Sequence, residues 1–300
     1  DSLASATITI NAPEHTIIAA DIGKMKSDVS YENYSEYVKA VDYTIDRQWT
    51  IENAKLQVGT GKDGTSSTFA LKSHLSLNNA FVGSDGLNIN FTDDSNGQIS
   101  VLHTIFTTKG LSITGDVRVS IRSCEFKSIT DGVNTNAIHV KNCSTVLIWN
   151  CVIDKVSVGE TDTHYGRGIF IENCGKGGNL ELIGCRISEV AYNAIQIDSS
   201  NFNDIIIDSN IISTWDSDNT GSTSESGLYA GGRAVRINVS ADQPLTFISI
   251  LNNTFTKTYN NNKFVDGLGT TNTTGYDNGN VLKITVSDKS IANVTLDENK

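Results

Sequence analysis

The residues best suited to chemistry are cationic and aromatic side chains that recur between positions 139 and 236. They are His139, His164, Tyr165, Arg167, Phe170, Trp215, Tyr229, Arg233 and Arg236. Arginine binds carboxylates in a bidentate manner, so cations interleaved with aromatic rings suit an acidic polysaccharide. We therefore predict that this set forms a carbohydrate-binding face.

Carboxylates are the second group with catalytic potential. A glycoside hydrolase needs two or three converging Asp or Glu side chains. Glu172 and Asp198 fall at equivalent positions of the sequence repeats described below, so they form either a carboxylate pair or a solvated acidic strip. Asp216 and Asp218 begin a partial calcium-loop pattern, D-x-D-x-[DN]-G, but position twelve is Gly227 rather than Glu. Ca²⁺ is thus a weak expectation, and no other cofactor is expected.

Charge and composition exclude two classes of partner. Lys and Arg total 23 against 34 for Asp and Glu, giving a formal net charge of −11, whereas a nucleic-acid-binding protein needs a basic face. The chain contains no run of 18 or more apolar residues, which is the length that a membrane-spanning helix needs. The polar, Lys-poor composition and seven Asn-x-Ser/Thr sites favour an extracellular or cell-surface protein, although chance explains most of those sites in so Asn- and Thr-rich a chain.

Two families of repeated segments position these residues. In the first family, apolar and variable residues alternate up to a small residue at a bend, after which an apolar residue follows. Its members are Ile99–Phe106, Val119–Phe126, Val146–Ile153, Leu180–Ile187, Ile205–Ile212 and Ile248–Phe255. Residues Val294–Asn299 start a seventh copy. The second comprises Ile138–Cys143, Ile169–Cys174, Ile195–Ser200, Val235–Ser240 and Leu282–Ser287. A period of two indicates strands, and two strand families in strict order predict the coils of a parallel β-helix.

Variation in repeat length enters at one corner of each predicted coil. We count from the small residue at the bend of each segment. From a second-family segment to the next first-family segment the distance stays between 8 and 13 residues, whereas from a first-family segment to the next second-family segment it runs from 15 to 34. We expect the loops 155–167, 214–233 and 257–280 to stack along one edge. These loops would border the exposed face of the second-family strands, whose outward side chains form two columns. The first column is His139, Phe170, Gln196, Arg236 and Lys283, and the second is Lys141, Glu172, Asp198, Asn238 and Thr285.

The repeated I-x-I-x-N-[NC]-x-[IF] pattern, with Asn210 and Asn253 in an inward column, resembles the right-handed parallel β-helix (pectin-lyase-like) superfamily over roughly residues 85–300. This resemblance implies an all-β, right-handed parallel β-helix solenoid. The superfamily includes lyases, hydrolases and adhesins, so the fold does not fix the activity. Residues 134–139 resemble the N-T-D-G strand of polygalacturonase-type hydrolases, but Asn136 stands where their catalytic acid would be. Their G-H-G motif and the lyase R-x-P-x-x-R signature are both missing.

The five cysteines align in two small-residue columns. Cys124, Cys151 and Cys185 share a column with the asparagines, and Cys143 and Cys174 share another with serines. We interpret them as free, buried side chains. Disulfides between coils are the alternative, but stacked Cβ vectors fit the disulfide dihedral poorly.

The chain ends differ from the repeats. Residues 27–44 carry Tyr34, Tyr37, Val38 and Val41 at helical spacing and predict a short N-terminal helical cap. The expected organisation is an extension strand at 1–12, the cap and first coil at 13–60, and the β-helix at 61–300. The extension strand has no obvious partner, and the last segment starts an uncapped coil. Strand addition between copies would use Thr7, Ile8, Thr9, Ile10, Val294 and Leu296. The alternatives are pairing of the extension along its own body and truncation of the chain.

Two functional hypotheses follow. The first is an extracellular, non-catalytic surface protein, either an adhesin or a self-assembling filament or scaffold subunit. The second is a secreted polysaccharide lyase or glycoside hydrolase that acts on acidic polysaccharide.

Overall fold

All regular secondary structure in the described part of the chain is β-strand, as the sequence predicts. The computed structural model describes residues 7–11, 16–18, 43–45, 48–52, 55–57, 68–71, 75–82, 86–91, 97–130, 135–157, 166–215, 232–239, 245–256, 281–286 and 292–300. Within these ranges there is no helix with the length and hydrophobicity that a membrane crossing requires.

The strands form three parallel sheets, named A, B and C, which the chain visits in turn. Sheet A contains β1 (Thr7–Asn11), β4 (Gln48–Glu52), β7 (Leu75–Asn78), β10 (Gln98–Leu102), β13 (Arg118–Arg122), β16 (Thr145–Trp149), β19 (Asn179–Ile183), β22 (Asp204–Asp208), β25 (Thr246–Leu251) and β28 (Ala292–Asp297). Sheet B contains β2 (Thr16–Ile18), β5 (Lys55–Gln57), β8 (Phe81–Val82), β11 (Ile105–Thr107), β14 (Glu125–Ile129), β17 (Val152–Val156), β20 (Arg186–Val190), β23 (Ile211–Trp215) and β26 (Thr254–Thr256). Sheet C contains β3 (Tyr43–Ile45), β6 (Thr68–Leu71), β9 (Leu87–Phe91), β12 (Leu111–Thr114), β15 (Asn136–Lys141), β18 (Arg167–Glu172), β21 (Ile195–Ser200), β24 (Val235–Val239) and β27 (Leu282–Val286).

Each strand pairs in parallel with the strand three places later in the chain, so one strand from each sheet makes one coil. This stack of coils is solenoid-like and is consistent with a parallel β-helix. The first-family segments cover successive strands of sheets A and B from β10 onward, and the second-family segments are the strands β15, β18, β21, β24 and β27 of sheet C. Over this part of the chain the repeat alignment predicted the strands and their stacking order, whereas β9 and β12 of sheet C were not predicted.

The core lies between the three sheets and is made of columns of β-branched and aliphatic residues. One register column of sheet A contains Ile99, Val119, Val146, Leu180, Ile205 and Ile248, and none of these is more than 1% exposed. In sheet B the rings of Phe106 and Phe126 stack with their centroids 4.6 Å apart. Because a parallel strand places alternate residues inward, every coil adds the same apolar contacts to the core.

The turn from sheet A to sheet B has two residues in every coil from β10 to β26. Its first residue has a positive φ; examples are Ser123 (52°), Asn150 (53°) and Gly184 (68°). Its second residue points inward and is buried; the column contains Thr104, Cys124, Cys151, Cys185, Asn210 and Asn253. This is the small residue at which the repeats bend. Since one left-handed residue reverses the chain sharply, the turn stays equally short in successive coils.

Asparagines in this turn column hydrogen-bond along the stack. Asn210 Oδ1 accepts from the Cys185 amide at 2.8 Å, and Asn253 Oδ1 accepts from the Asn210 amide at 2.9 Å. Asn299 repeats the contact with the Asn253 amide at 3.1 Å. The Nδ2 groups donate to carbonyls of the preceding coil, as Asn253 does to Ile207. The column thus satisfies backbone groups that the turn leaves unpaired inside the core.

The five cysteines are free and buried, as predicted. Cys151 Sγ donates to the Ile121 and Trp149 carbonyls, and Cys174 Sγ donates to those of Val140 and Glu172. A hydrogen bond with Cys174 and burial both raise the pKa of Cys143. Hydrogen bonds with Cys124 and Cys185, together with burial, raise the pKa of Cys151. These two thiols therefore remain protonated in the core at neutral pH.

The variable connection lies between sheet B and sheet C, as the anchor spacing predicts. The connections in successive coils are residues 130–135, 157–166, 191–194, 216–234 and 257–281. Connections from sheet C to the next strand of sheet A are shorter, for example residues 142–144 and 201–203. In these coils the longest connections therefore join the end of a sheet B strand to the start of a sheet C strand.

The N-terminal region differs from the sequence-based expectation in one respect. The strand expected to lack a partner, β1, pairs in parallel with β4 from Thr7↔Gln48 to Asn11↔Glu52. Strands β1 to β5 belong to the same three sheets as the rest, so the sheets begin well before residue 61. Tyr43 and Thr44 lie in β3, whereas the rest of the expected cap, residues 27–42, lies outside the described residues. The extension strand therefore has a partner within its own chain on one edge, and strand addition at its other edge stays a prediction.

Candidate functional site

The outward face of sheet C carries the chemistry-bearing side chains in the two predicted columns. Strand register aligns His139, Phe170, Gln196, Arg236 and Lys283 in the first column. It aligns Lys141, Glu172 and Asp198 in the second, which Asn238 and Thr285 continue beyond a register irregularity between β21 and β24. Both columns were derived from sequence periodicity, and the structure confirms their order. The expected exposure of Gln196 is wrong, because its side chain is 2% exposed and accepts hydrogen bonds from Arg167 and Asn193.

Glu172 is the centre of a polar cluster on β15 and β18. Its Oε1 accepts from Lys141 Nζ at 2.9 Å, and its Oε2 lies 3.1 Å from His139 Nε2. The imidazole of His139 stacks on the ring of Phe170, with centroids 4.8 Å apart and planes inclined by 12°. Both oxygens of this carboxylate are therefore engaged by neighbouring side chains.

The protonation states in this cluster follow from burial and pairing. Burial lowers the pKa of His139 below its ordinary value of 6.5 and outweighs the raising effect of Glu172. Burial alone would raise the pKa of Glu172. The hydrogen bonds from Lys141 and His139 outweigh burial, so the pKa of Glu172 lies below its ordinary value of 4.5. At neutral pH the imidazole is therefore neutral, and in the tautomer that carries its proton on Nε2 it donates a hydrogen bond to the carboxylate. Its Nδ1 then carries a lone pair that can accept a proton.

Arg167, at the start of β18, connects the first column to the interior of the coil. It is 8% exposed, its guanidinium carbon lies 4.5 Å from the centroid of Phe170, and its Nε donates to Gln196 Oε1 at 2.7 Å. The ring of Tyr192 lies on another side at 5.8 Å. The arginine, Phe170 and His139 thus form a continuous stack in which the guanidinium and an aromatic face stabilise each other.

Asp198 is the second carboxylate of the face and is also engaged. Asn238 Nδ2 donates to its Oδ1 at 2.5 Å, Gln196 Nε2 donates to its Oδ2, and Arg236 Nε lies 4.0 Å from Oδ1. Glu172 and Asp198 occupy neighbouring register positions, so the strip contains two carboxylates that are bound by different partners. This arrangement agrees with an acidic strip better than with a converging catalytic pair.

Several residues of the predicted carbohydrate-binding set occupy other positions. Trp215 ends β23 and is fully buried in the core, so its side chain does not overhang sheet C as expected. Arg233 is 2% exposed and lies at the entrance to β24 rather than on an exposed loop. His164, Tyr165, Tyr229, Asp216 and Asp218 lie outside the described residues. His139, Arg167, Phe170 and Arg236 are the members that the structure brings together.

Two contributors to the site were not predicted, Tyr192 and Asn193. Both are buried in the short connection before β21. Asn193 Nδ2 donates to Gln196 Oε1 at 2.6 Å, and Asn193 Oδ1 accepts from the Arg233 amide at 2.7 Å. A signal was present in the sequence, because Asn136, Arg167, Asn193 and Arg233 each stand two residues before an inward Ile or Val of sheet C.

The electrostatic character of this face differs from that of the chain as a whole. The cations Lys141, Arg236 and Lys283 lie on it and Arg167 lies beneath, whereas its two carboxylates are Glu172 and Asp198. Such a strip can bind an extended polyanion by exposed cations while presenting one aromatic stack. Within the described ranges, no three His, Cys, Asp or Glu side chains are grouped so that they could hold a metal ion.

A second feature is the C-terminal end of the stack. Val294 and Leu296 of β28 are 40% and 55% exposed, although their register partners Ile248 and Ile250 are at most 1% exposed. A cavity of about 610 Å³ opens there and is lined by Ile250, Phe255, Val281, Leu282, Leu296 and residues 297–300. Within the described residues β28 pairs on one side only, with β25. This end therefore has apolar inward positions and an unpaired strand edge.

No protein-family model matches the chain, and comparison with curated proteins and with solved structures finds no similar protein.

Proposed function

We propose that the chain is an extracellular, non-catalytic surface protein that acts as a self-assembling scaffold, with copies associating end to end. The single observation that supports this is that, within the described residues, Val294 and Leu296 are exposed at positions that are buried in the preceding coil. A further parallel strand on β28 would cover both side chains and pair the strand edge. The proposal includes a right-handed helix of the pectin-lyase-like kind, because parallel crossover connections are right-handed in almost all proteins.

Strand β1 is the complement that this end requires. It lies at the opposite end of sheet A, where it pairs only with β4 among the described strands. Its Thr-Ile-Thr-Ile-Asn sequence has the same alternation as residues 293–297, Asn-Val-Thr-Leu-Asp, so Ile8 and Ile10 would continue the register of Val294 and Leu296. Head-to-tail contacts of this kind do not close on themselves, so they produce filaments.

The experiment is electron microscopy and light scattering of the full chain over a concentration series. Wild type forms rods that lengthen with concentration, whereas Leu296→Lys, which places a charge in the apolar end, and deletion of residues 1–12 both shorten them. Ile211→Lys is the matched control, because it places the same charge on an exposed apolar residue of sheet B, away from β28 and from sheet A. A monomer at all concentrations, or rods indifferent to both changes, would contradict the proposal.

A second function, binding or cleavage of an acidic polysaccharide on sheet C, is favoured by the stack of Arg167, Phe170 and His139 beside half-buried Arg236. The neutral imidazole is a candidate base for a lyase reaction: it would take the proton from the carbon next to a uronate carboxylate, the released electron pair would form a carbon–carbon double bond, and the neighbouring glycosidic C–O bond would break, with water protonating the leaving oxygen. The test is to incubate a panel of uronate polysaccharides with the protein and to measure unsaturated products, reducing ends and binding. Arg236→Ala lowers binding under this hypothesis, and Arg186→Ala, an exposed residue of sheet B, does not. Absence of binding across the panel would exclude this second function.

A further inference from the structure

The outward face of sheet A has a pattern that end-to-end assembly does not use. Its side chains stand in columns perpendicular to the strands, one residue from each coil. The column at the C-terminal ends of the strands reads, from β10 to β25, Leu102, Arg122, Trp149, Ile183, Asp208 and Leu251. Read from either end, the column is apolar, charged, apolar, apolar, charged and apolar, with the two charges opposite in sign.

A second column of the same face repeats the charge order. Arg118 stands on β13 and Asp204 on β22, at the N-terminal ends of the strands that carry Arg122 and Asp208. Among the described residues, none of these four side chains forms an ion pair with an oppositely charged group. The face therefore has a positive strand and a negative strand, separated by β16 and β19.

A two-fold axis makes this pattern self-complementary. If the axis runs parallel to the strands, midway between β16 and β19, a second copy presents its strands in reverse order and keeps each column in register. Strand β13 then faces β22 of the second copy. Arg118 meets Asp204, Arg122 meets Asp208, and each ion pair occurs twice because the contact is isologous.

The apolar members of the column match under the same operation. Trp149 meets Ile183 of the second copy, and Leu102 meets Leu251, so rings and aliphatic side chains are buried between the charged pairs. In the middle column Leu147 meets Glu181, which is the one apolar-to-charged contact among these pairs. We propose that two copies of the chain pair face to face through sheet A, in a lateral contact separate from end-to-end growth.

The size of the face suits such a contact. Eight strands from β7 to β28, spaced by about 4.8 Å and about five residues long, make a patch of roughly 34 Å by 16 Å. This flat area is of the same order as the roughly 800 Å² per partner that standard interfaces bury. Phe247, which is 44% exposed, and half-buried Trp149 and Ile206 supply large apolar side chains on the patch. Flat β-faces pack at about 10 Å with such residues between them.

The test uses sedimentation of the full chain with Leu296→Lys in every sample, so that end-to-end growth is suppressed. Arg118→Glu and Asp204→Arg each weaken the dimer roughly tenfold or more, because each variant faces like charges twice. An equimolar mixture of the two variants restores the dimer. In the mixed pair the two reversed charges face each other, and the unchanged Asp204 of one copy faces the unchanged Arg118 of the other. Arg186→Glu on sheet B is the control and leaves the dimer unchanged.

The fold of both variants is checked by far-UV circular dichroism, which should match that of the wild type. Neither Arg118 nor Asp204 forms a side-chain ion pair within the described part of its own chain. A monomer in the Leu296→Lys background overturns the lateral pairing. A dimer that both reversals leave intact overturns it as well. If the wild type showed no end-to-end growth but still formed a dimer that the charge reversals weaken, only the end-to-end association would be contradicted, and the lateral pairing through sheet A would stand.

Discussion

At the scale of single residues, the outward face of sheet C is a set of mutually satisfied polar groups. Glu172 is bound by Lys141 and His139, and Asp198 by Gln196 and Asn238. Engaged carboxylates lack the freedom that a glycosidase pair needs, because one of the two must remain protonated and the other must reach water or sugar. This is the residue-level reason for preferring a scaffold to a hydrolase.

The His139–Glu172 contact predicts a loss of stability in acid. Since the pKa of His139 is lowered in the folded protein, the unfolded chain binds more protons as pH falls below 6.5, and stability declines until the folded-state pKa is passed. The lowered pKa of Glu172 adds stability at pH values above its ordinary pKa of 4.5, and this contribution is lost as the pH falls through the lowered pKa. We expect His139→Phe, which keeps the aromatic stack on Phe170, to reduce the fall in urea midpoint between pH 7 and pH 5. His103→Asn, which removes a histidine from the turn between sheets A and B, is the control. If the urea midpoint of His139→Phe fell between pH 7 and pH 5 as much as that of the wild type, the imidazole of His139 would not titrate as inferred.

The asparagine column predicts a large stability loss on substitution of one member. Asn253 is fully buried, accepts from the Asn210 amide and donates to the Ile207 carbonyl. Asn253→Leu leaves two buried backbone groups unpaired and should lower the free energy of unfolding by about 3 kcal/mol. Urea denaturation measures the change. Asn293→Ala, at an exposed position of β28, should change it by less than about 0.5 kcal/mol. Equal effects from the two variants would refute the role of the column.

At the scale of elements, the short turn from sheet A to sheet B keeps the coils in register. It needs one residue with positive φ and one small inward residue in each coil. Gly184 occupies the first position of this turn with a φ of 68°, a conformation that glycine adopts without strain. The opposite corner, between sheets B and C, has no such constraint and accepts insertions of very different lengths.

The turn predicts a specific order of tolerance at Ser123, an exposed residue with a φ of 52°. Ser123→Asn and Ser123→Gly should be neutral or slightly stabilising, because both residues enter the left-handed region easily. Ser123→Val should cost about 1–2 kcal/mol, since a β-branched side chain clashes there. Thermal melting of the three variants measures this order. Equal melting temperatures for Val and Gly would contradict the turn geometry.

At the scale of the whole molecule, the coils form a one-dimensional array in which each coil contacts mainly the next. Inner coils are covered on both sides, and β28 is covered on one side within the described chain. The two proposed contacts use different parts of this array. End-to-end growth extends the stack, whereas pairing through sheet A would double it laterally and produce paired rods.

This organisation predicts a gradient of backbone protection along the stack. Amide hydrogens of β16 to β21 should exchange slowest, and those of β28 fastest among the strands of sheet A. In samples concentrated enough for end-to-end association, the protection of β28 should rise because its edge amides become paired. Hydrogen–deuterium exchange at two concentrations measures both effects, with β13 as the internal reference. Concentration-independent exchange in β28 would argue against strand addition at this end.

The sequence by itself determined the repeating parts of this protein. Apolar residues at a period of two, with a small residue at each bend, were enough to predict the strands, the buried cysteine and asparagine columns, the variable corner and the two outward columns of sheet C. These features depend on local alternation that each coil repeats, so neighbouring coils reinforce one another in the alignment.

Only the tertiary structure decided what lies between elements distant in sequence. It paired β1 with β4, which no repeat motif signalled, and it placed Trp215 in the core rather than over sheet C. It also showed that Arg167 turns back onto Phe170 and that Arg122 and Asp208 share one column across three coil intervals. Such contacts depend on which coils stack on one another, and those positions are set by packing across the stack rather than by the period of any one strand.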